Sequence, residues 1–150
     1  MYGDVGTGKT ALATCIGNAL ADRLVIVFAT SFVKVLQHNR SYDAALANKA
    51  FMDDIRNAKL LILDDYGAER TTDFALEIMY SIIDERYRAK KPMIVTTNLS
   101  LEQMLHSSDE RYRRLNDRIL EVCYPMKFSG TSWRMKEAKE RFEDMKKGVS

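Results

Sequence analysis

Proline, glycine and cysteine are scarce in this chain of 150 residues, which has two prolines, seven glycines and two cysteines. Collagen-like and low-complexity proteins need far more proline and glycine, so both classes are excluded. Cys15 and Cys123 are too few for a disulfide framework, and their apolar neighbours predict buried free thiols. No apolar run is long enough to cross a bilayer and no signal peptide is evident, so we expect a cytoplasmic protein with no membrane partner.

Charge of one sign is also lacking, since the formal net charge is only +2. So small an excess does not by itself indicate nucleic acid binding, which must be argued from local patches. Hydrophobic residues make up 46% of the chain, enough for an ordinary globular core. We therefore expect residues 1–150 to form a single domain.

Strand-like and helix-like segments alternate along the chain. Short apolar runs predict strands at Leu24–Phe28, Leu60–Leu63, Met93–Thr97 and Val122–Phe128, the last near a sheet edge because of Pro125. Helical patterns cover Thr10–Asp22, two pieces of Ser31–Asn57, Thr72 to about Ala89, a short segment capped by Ser100, Asp109–Leu120 and Trp133–Lys147. This alternation predicts an α/β fold, with a mostly parallel sheet between two helical layers.

One glycine-rich segment matches the phosphate-binding pattern G-x-x-x-x-G-K-[ST] at every fixed position. Its residues are Gly3, Asp4, Val5, Gly6, Thr7, Gly8, Lys9 and Thr10. Glycines let backbone N–H groups approach phosphates, and the helix that follows points its positive end at the same anion. We expect Lys9 to reach the β and γ phosphates of ATP, and the Thr10 hydroxyl to ligate Mg²⁺.

The strand before this loop is reduced to Met1-Tyr2. In P-loop folds that strand is central, so the truncated first strand leaves a gap in the sheet unless another segment fills it. We expect this truncation to threaten stability and nucleotide affinity.

Polar side chains follow two of the predicted strands, where ligands bind in open parallel sheets. Asp64 is predicted to hold Mg²⁺ through water, and Asp65 to orient the attacking water or accept its proton. Asn98 is predicted to bond the γ-phosphate or that water. Alternatively, Asp64-Asp65 merely starts a turn at Gly67, and Asn98 caps the helix after it.

A cluster of arginines lies in the predicted helix Asp109–Leu120, where Arg111, Arg114 and Arg118 share one face. A guanidinium beside a γ-phosphate stabilises the charge of phosphoryl transfer. Arg118 is our first candidate for this role and Arg114 our second. The alternative is a solvated basic face, paired with nearby carboxylates.

Arg134 begins the last predicted helix, directly after Trp133. It is a candidate for contacting ATP from that helix. The alternative is an ordinary surface arginine beside a tryptophan.

Four segments together resemble the AAA+ ATPase domain of DnaC-type loaders of bacterial and phage replicative helicases. They are Tyr2–Thr10, Leu61–Gly67, Val95–Leu99 and Asn116–Glu121. The ATP-binding helpers of insertion-sequence transposition share most of these elements, so both readings stay open. A third reading is a nucleotide-binding module without significant turnover.

The loader resemblance implies an ATP-dependent homo-oligomer in which Arg118 acts in trans on a neighbouring subunit. It also implies single-stranded DNA in the assembled pore, with Tyr42, Thr72 and Phe74 at the positions that match DNA contacts. The bland alternative is that Tyr42 and Phe74 are packing residues. Loaders of this type grip a replicative helicase through an N-terminal domain that we do not find in this sequence.

Overall fold

The computed structural model describes residues 1–23, 27–31, 34, 45–67 and 73–148. Five strands form one parallel sheet in the order β2-β3-β4-β1-β5. They are β1 (Tyr2–Gly3), β2 (Val27–Ser31), β3 (Leu60–Tyr66), β4 (Met93–Thr97) and β5 (Lys127–Phe128). The described helices are α1 (Lys9–Ala21), α2 (Ala45–Asn57), α3 (Asp73–Arg88), α4 (Leu101–Leu105), α5 (Glu110–Val122) and α6 (Trp133–Gly148). The predicted α/β architecture is confirmed.

Three predicted strands have different bounds in the structure. β2 runs to Ser31 instead of ending at Phe28, and residues 24–26 of the predicted strand lie outside the described residues. β3 continues through the two aspartates to Tyr66, instead of ending before them. The prediction of a strand from Val122 is wrong, because α5 runs on to that residue and only Lys127–Phe128 pair with the sheet. Pro125 has no N–H to donate to a ladder, so the strand cannot begin earlier without losing a hydrogen bond. The edge position predicted for this strand is correct.

The short first strand occupies the central position of the sheet. Tyr2 pairs with Thr97 of β4 on one side and with Lys127 of β5 on the other. The amino group of Met1 donates to the Val95 carbonyl at 2.8 Å, and the Thr97 N–H donates to the Met1 carbonyl at 3.1 Å. The two residues of β1 are therefore enough to join β4 to β5. The gap expected from the truncated first strand is closed at the end of the sheet that carries the phosphate loop.

Apolar side chains of β3 are buried on both faces of the sheet. Leu61 and Leu63 join the larger core cluster with side chains of α3 and α5, such as Ile83 and Leu115. Leu60 and Ile62 face the opposite way, toward Ala13 of α1. Since successive residues of a strand point to opposite faces, this pattern sets the sheet between two helical layers.

The buried guanidinium of Arg86 connects α3 to the end of α2 and to the segment before β4. Arg86 of α3 donates through Nη1 to the carbonyls of Ile55 (3.0 Å) and Ala58 (3.2 Å). Its Nη2 donates to the Pro92 carbonyl at 2.6 Å. Burial lowers the pKa of this guanidinium from its ordinary value. Arg86 thus fastens the end of α2 to the residue before β4.

The cysteines and the membrane prediction have simple outcomes. Both thiols are free, but Cys15 is exposed and Cys123 only half-buried, so the prediction of two buried thiols is wrong. Cys15 lies on the outer side of α1, away from the sheet that buries Ala13. Within the described ranges, no helix is both long and apolar enough to span a bilayer.

Candidate functional site

The phosphate loop leaves β1 and enters α1 through a backbone that only glycine adopts readily. Gly6 has φ 79° and Gly8 has φ 90°, both in the left-handed region. Between them, the Thr7 hydroxyl donates to the Asp4 carbonyl at 2.8 Å and braces the turn. A Cβ at Gly6 would stand 2.1 Å from the Ser132 hydroxyl oxygen. The loop is therefore fixed by its own turns and by the segment that leads into α6.

Lys9 is the buried cation of this loop, with only 6% of its surface exposed. Its Nζ donates to the carbonyls of Gly3 at 2.8 Å and Asp4 at 2.7 Å. Burial lowers the pKa of Lys9, while the charges of Asp65, Asp4 and Asp64 act in the opposite direction. The ammonium is thus held inside the loop by neutral carbonyls, and its charge remains available to an anion.

Asp64 accepts two hydroxyl donors at the same oxygen, Oδ1. Thr10 donates through Oγ1 at 2.9 Å, and Thr96 of β4 donates at 2.5 Å. Thr96 is 1% exposed and also accepts from the Asp65 N–H at 3.1 Å. Sequence reasoning missed Thr96, although the parallel pairing of Leu63 with Val95 places the next residues of both strands side by side. Thr96 thus holds the Asp64 carboxylate and the Asp65 backbone from the neighbouring strand.

The two aspartates differ in backbone conformation. The β3–β4 register shifts between Leu63 and Tyr66, and Asp65 has φ 56°, unusual for a residue other than glycine. Asp64 is half-buried whereas Asp65 is exposed. The turn begins only at Gly67, after Tyr66 has returned to the core, so Asp64 and Asp65 belong to β3 and do not start that turn.

Many of the residues predicted for the site line one open cavity of about 530 Å³ at the carboxyl end of the sheet. Its wall is formed by residues 5–11 of the loop and α1, together with Asp65, Asn98, Trp133 and Arg134. The helix after Asn98 is capped by Ser100, which accepts from the Gln103 N–H at 3.1 Å, so the alternative role of Asn98 as that cap is wrong. Asp64 faces a smaller cavity of about 200 Å³ on the other side of Thr10.

Arg134 and Trp133 reach the cavity from the start of α6. The Trp133 N–H donates to the Gly6 carbonyl at 3.1 Å, and the Met135 N–H donates to Ser132 Oγ at 3.4 Å. The helix therefore starts directly on the phosphate loop. Arg134 was predicted from the sequence, whereas Trp133 was missed; its position before Arg134 was the only signal.

Arg118 and Arg114 lie elsewhere, on the face shared by α3 and α5. Arg118 sits over the ring of Tyr87, 4.6 Å from its centroid, and its Nη1 lies 3.2 Å from Glu121 Oε2. Its pKa is raised, chiefly by a hydrogen bond with Tyr80. Neither arginine lines the 530 Å³ cavity of its own chain.

Arg114 and Arg111 line a second groove between α3 and α5, of about 450 Å³. Arg114 pairs with Glu110 at 2.7 Å, and Arg111 pairs with both Asp73 and Asp109. The solvated basic face considered from the sequence is therefore a face of local ion pairs.

None of the three residues predicted to contact DNA has a described side chain. Tyr42 and Thr72 lie outside the described residues, and Phe74 belongs to α3 but its side chain is not described.

A family model supplies the decisive comparison. The model for IstB-like ATP binding proteins matches residues 1–141. The chain belongs to this family. With its parallel sheet and this phosphate loop, the chain is an ATP-binding domain with the AAA+ fold.

Individual relatives agree with the family model. This IstB-like chain is 35% identical over 86 residues to uncharacterized protein YdaV of Escherichia coli K12, covering 56% of the chain and 34% of YdaV. It is 32% identical over 96 residues to the replicative helicase loader DnaI of Bacillus subtilis 168, covering 61% of the chain and 30% of DnaI. A crystal structure of the DnaC helicase loader matches with TM-score 0.72 and 25% identity, over 85% of this chain and 76% of that one. The matches thus span about a third of the length of the curated relatives.

Proposed function

We propose that this chain is an ATP-hydrolysing motor domain that helps to load a replicative DNA helicase and assembles with single-stranded DNA and further copies of itself. The observation that carries the proposal is the hydrogen-bonded group of Thr10, Asp64 and Thr96 beside the buried Lys9. Similarity to the loaders DnaI and DnaC supports the choice of helicase loading.

Nucleotide binding begins with the phosphate loop. Lys9 now bonds two neutral carbonyls of the loop, and the phosphate oxygens of ATP offer it a stronger, charged acceptor. The N-terminal end of α1 adds its unpaired N–H groups and its positive dipole to the same anion. Arg134, which also lines the cavity, supplies a second cation to the triphosphate.

The oxygen atoms of Thr10 and Asp64 fit Mg²⁺. They lie 2.9 Å apart, and Mg²⁺ is usually held by one or two carboxylates together with substrate phosphates and water. Thr10 and Asp64 would hold the ion, and a bound Mg²⁺ supplies positive charge to the β and γ oxygens. Thr96 keeps the Asp64 carboxylate oriented for this task.

Asp65 and Asn98 are placed to act on the attacking water, since both line the cavity. Asp65 orients the water and accepts its proton, and the Asn98 amide bonds the water or the γ-phosphate. The strand bulge aims Asp65 into the cavity while Asp64 remains beside Thr10. The two adjacent carboxylates therefore take different roles.

Arg118 completes the site of a neighbouring copy, with Arg114 as the second choice. Both lie outside the cavity of their own chain, so either reaches a γ-phosphate only across a subunit interface. Such an arginine stabilises the charge of the transferred group and makes hydrolysis depend on assembly.

A transposition regulator that assembles on duplex DNA is the second candidate, and the match to the IstB-like model favours keeping it. The test is ATP hydrolysis per subunit against protein concentration, without DNA, with single-stranded DNA and with duplex DNA. We expect a rate that rises with concentration and with single-stranded DNA. Preferential stimulation by duplex DNA would favour the transposition role. Binding without hydrolysis at any concentration would reduce the chain to a nucleotide-binding module, and Asp65→Asn provides the matched reference for that state.

A further inference from the structure

The cavity above the phosphate loop is lined by residues of two chemical types. Lys9, Asp65 and Asn98 are charged or polar, whereas Val5, Ala11 and Trp133 are apolar or aromatic. A nucleoside triphosphate carries the same two chemistries, in a charged phosphate tail and a flat aromatic base. The volume of about 530 Å³ lies within the usual range for ligand pockets.

Trp133 is unusually exposed for its size. The sole tryptophan of the chain leaves 62% of its surface accessible, although a large aromatic ring normally gains from burial. Lys136 of the same helix sits 5.3 Å from the ring centroid, a cation–π contact that holds the indole in place. The side chain is thus positioned at the cavity without being covered by the protein.

The backbone of Trp133 is fixed independently of its side chain. Its N–H donates to the Gly6 carbonyl, and the adjoining Ser132 hydroxyl fills the space beside Gly6. The backbone of Trp133 therefore keeps its place relative to the phosphate loop, and a side-chain substitution leaves this hydrogen bond intact.

From these observations we propose that Trp133 is a nucleoside-contacting residue, which stacks on the base of the nucleotide whose phosphates the loop binds. The inference rests on the proposed function, because it requires the phosphates to occupy the loop. Stacking uses the face of the base, which all bases possess, so Trp133 contributes affinity and does not choose between adenine and guanine.

Calorimetric titration with ATP, GTP and inorganic tripolyphosphate, each with magnesium, tests this role. Trp133→Ala should weaken ATP and GTP binding alike by about tenfold or more, the loss typical of one stacked base, and leave tripolyphosphate binding unchanged. Trp133→Phe should retain most of the affinity. Phe142→Ala is the matched control, since Phe142 is an aromatic of the same helix with 64% exposure; it should bind all three ligands like the parent chain. In the parent, ATP but not tripolyphosphate should change the fluorescence of the single tryptophan.

Two results would overturn the proposal while leaving the site assignment standing. One is parental affinity of Trp133→Ala for ATP. The other is an equal loss for ATP and tripolyphosphate, which would show that Trp133 only supports the loop. Failure of the parent chain to bind ATP at all would overturn the proposed function together with this inference.

Discussion

The phosphate-loop cavity and the arginine face of α3 and α5 both concentrate positive charge, but they satisfy it differently. In the cavity, Lys9 bonds only neutral carbonyls. On the arginine face, Arg111, Arg114 and Arg118 each pair with carboxylates of their own chain. Although the charges of Asp65, Asp4 and Asp64 act on it, Lys9 is bonded to carbonyls and can bond an anionic ligand directly. Exposed ion pairs are weak and can be exchanged. In the proposed function, the first region binds the nucleotide, and the second acts only in an assembly of several copies.

Removal of Lys9 should have the largest effect. Lys9→Ala deletes the buried ammonium and should abolish measurable ATP binding, because truncating a buried, hydrogen-bonded charge costs about 2–5 kcal/mol. Calorimetric titration with Mg-ATP measures it. Lys139→Ala, an exposed lysine of α6, should bind ATP like the parent chain. Parental affinity in Lys9→Ala would refute the assignment of the site.

Substitution of Arg118 tests the role of the arginine face. Arg118→Ala should bind ATP normally but lose turnover by about 10³-fold at saturating protein, as arginine fingers do. Arg113→Ala is the control, an exposed arginine of the same helix with no ion pair among the described residues. Steady-state hydrolysis at several protein concentrations measures both variants.

A mixing experiment sharpens the result for Arg118. Arg118→Ala subunits keep an intact Asp65, and Asp65→Asn subunits keep an intact Arg118. If the arginine acts in trans, a mixture of the two inactive variants should regain part of the turnover. Unchanged turnover in Arg118→Ala alone, or no recovery in the mixture, would contradict the trans role; Arg114 would then be the next variant to examine.

Asn116 connects α5, a helix of the arginine face, to β3, the strand that carries Asp64 and Asp65. It is 1% exposed, accepts from the Tyr66 hydroxyl at 2.6 Å and donates to the Met104 carbonyl at 2.8 Å. Asn116→Ala removes two buried hydrogen bonds and should lower the free energy of unfolding by about 3 kcal/mol. Denaturant unfolding measures this, with Asn18→Ala on the exposed side of α1 as control.

A double-mutant cycle measures the contribution of the hydrogen bond between Asn116 and Tyr66 of β3. Asn116→Ala combined with Tyr66→Phe should cost about 1 kcal/mol less than the sum of the single changes, because the two side chains share one hydrogen bond. Strict additivity would mean that this hydrogen bond contributes nothing to the attachment of α5 to β3.

Local patterns were sufficient to predict much of the fold and of the cavity. The loop Gly3–Thr10 carries its conformation in its glycines, and the apolar run before Asp64 is long enough to be read as a buried strand. Features that depend on pairing between strands were not predictable in this way. The left-handed backbone of Asp65 follows from the β3–β4 register, and Trp133 reaches the cavity only because α6 starts on Gly6. The roles of Asp65, Asn98 and Arg118 remain predictions.

Thr96 gives the smallest expected effect and the finest test of the cavity. Its hydroxyl donates to Asp64 and accepts from the Asp65 N–H, so it holds the Asp64 carboxylate and the Asp65 backbone without lining the cavity of about 530 Å³. Thr96→Val keeps the shape and removes these bonds, which should weaken the apparent affinity for Mg²⁺ by about tenfold. Magnesium titrations of ATP hydrolysis at saturating ATP measure the change.

Thr96→Ser separates orientation of the carboxylates from packing of the strand. Serine keeps the hydroxyl but loses the methyl group, so its magnesium dependence should resemble that of the parent even if stability falls by about 1 kcal/mol. If Thr96→Val behaves like the parent, Asp64 needs no support from β4. If Thr96→Ser is as impaired as Thr96→Val, the hydroxyl alone is not sufficient, and the methyl group that packs the strand is required as well.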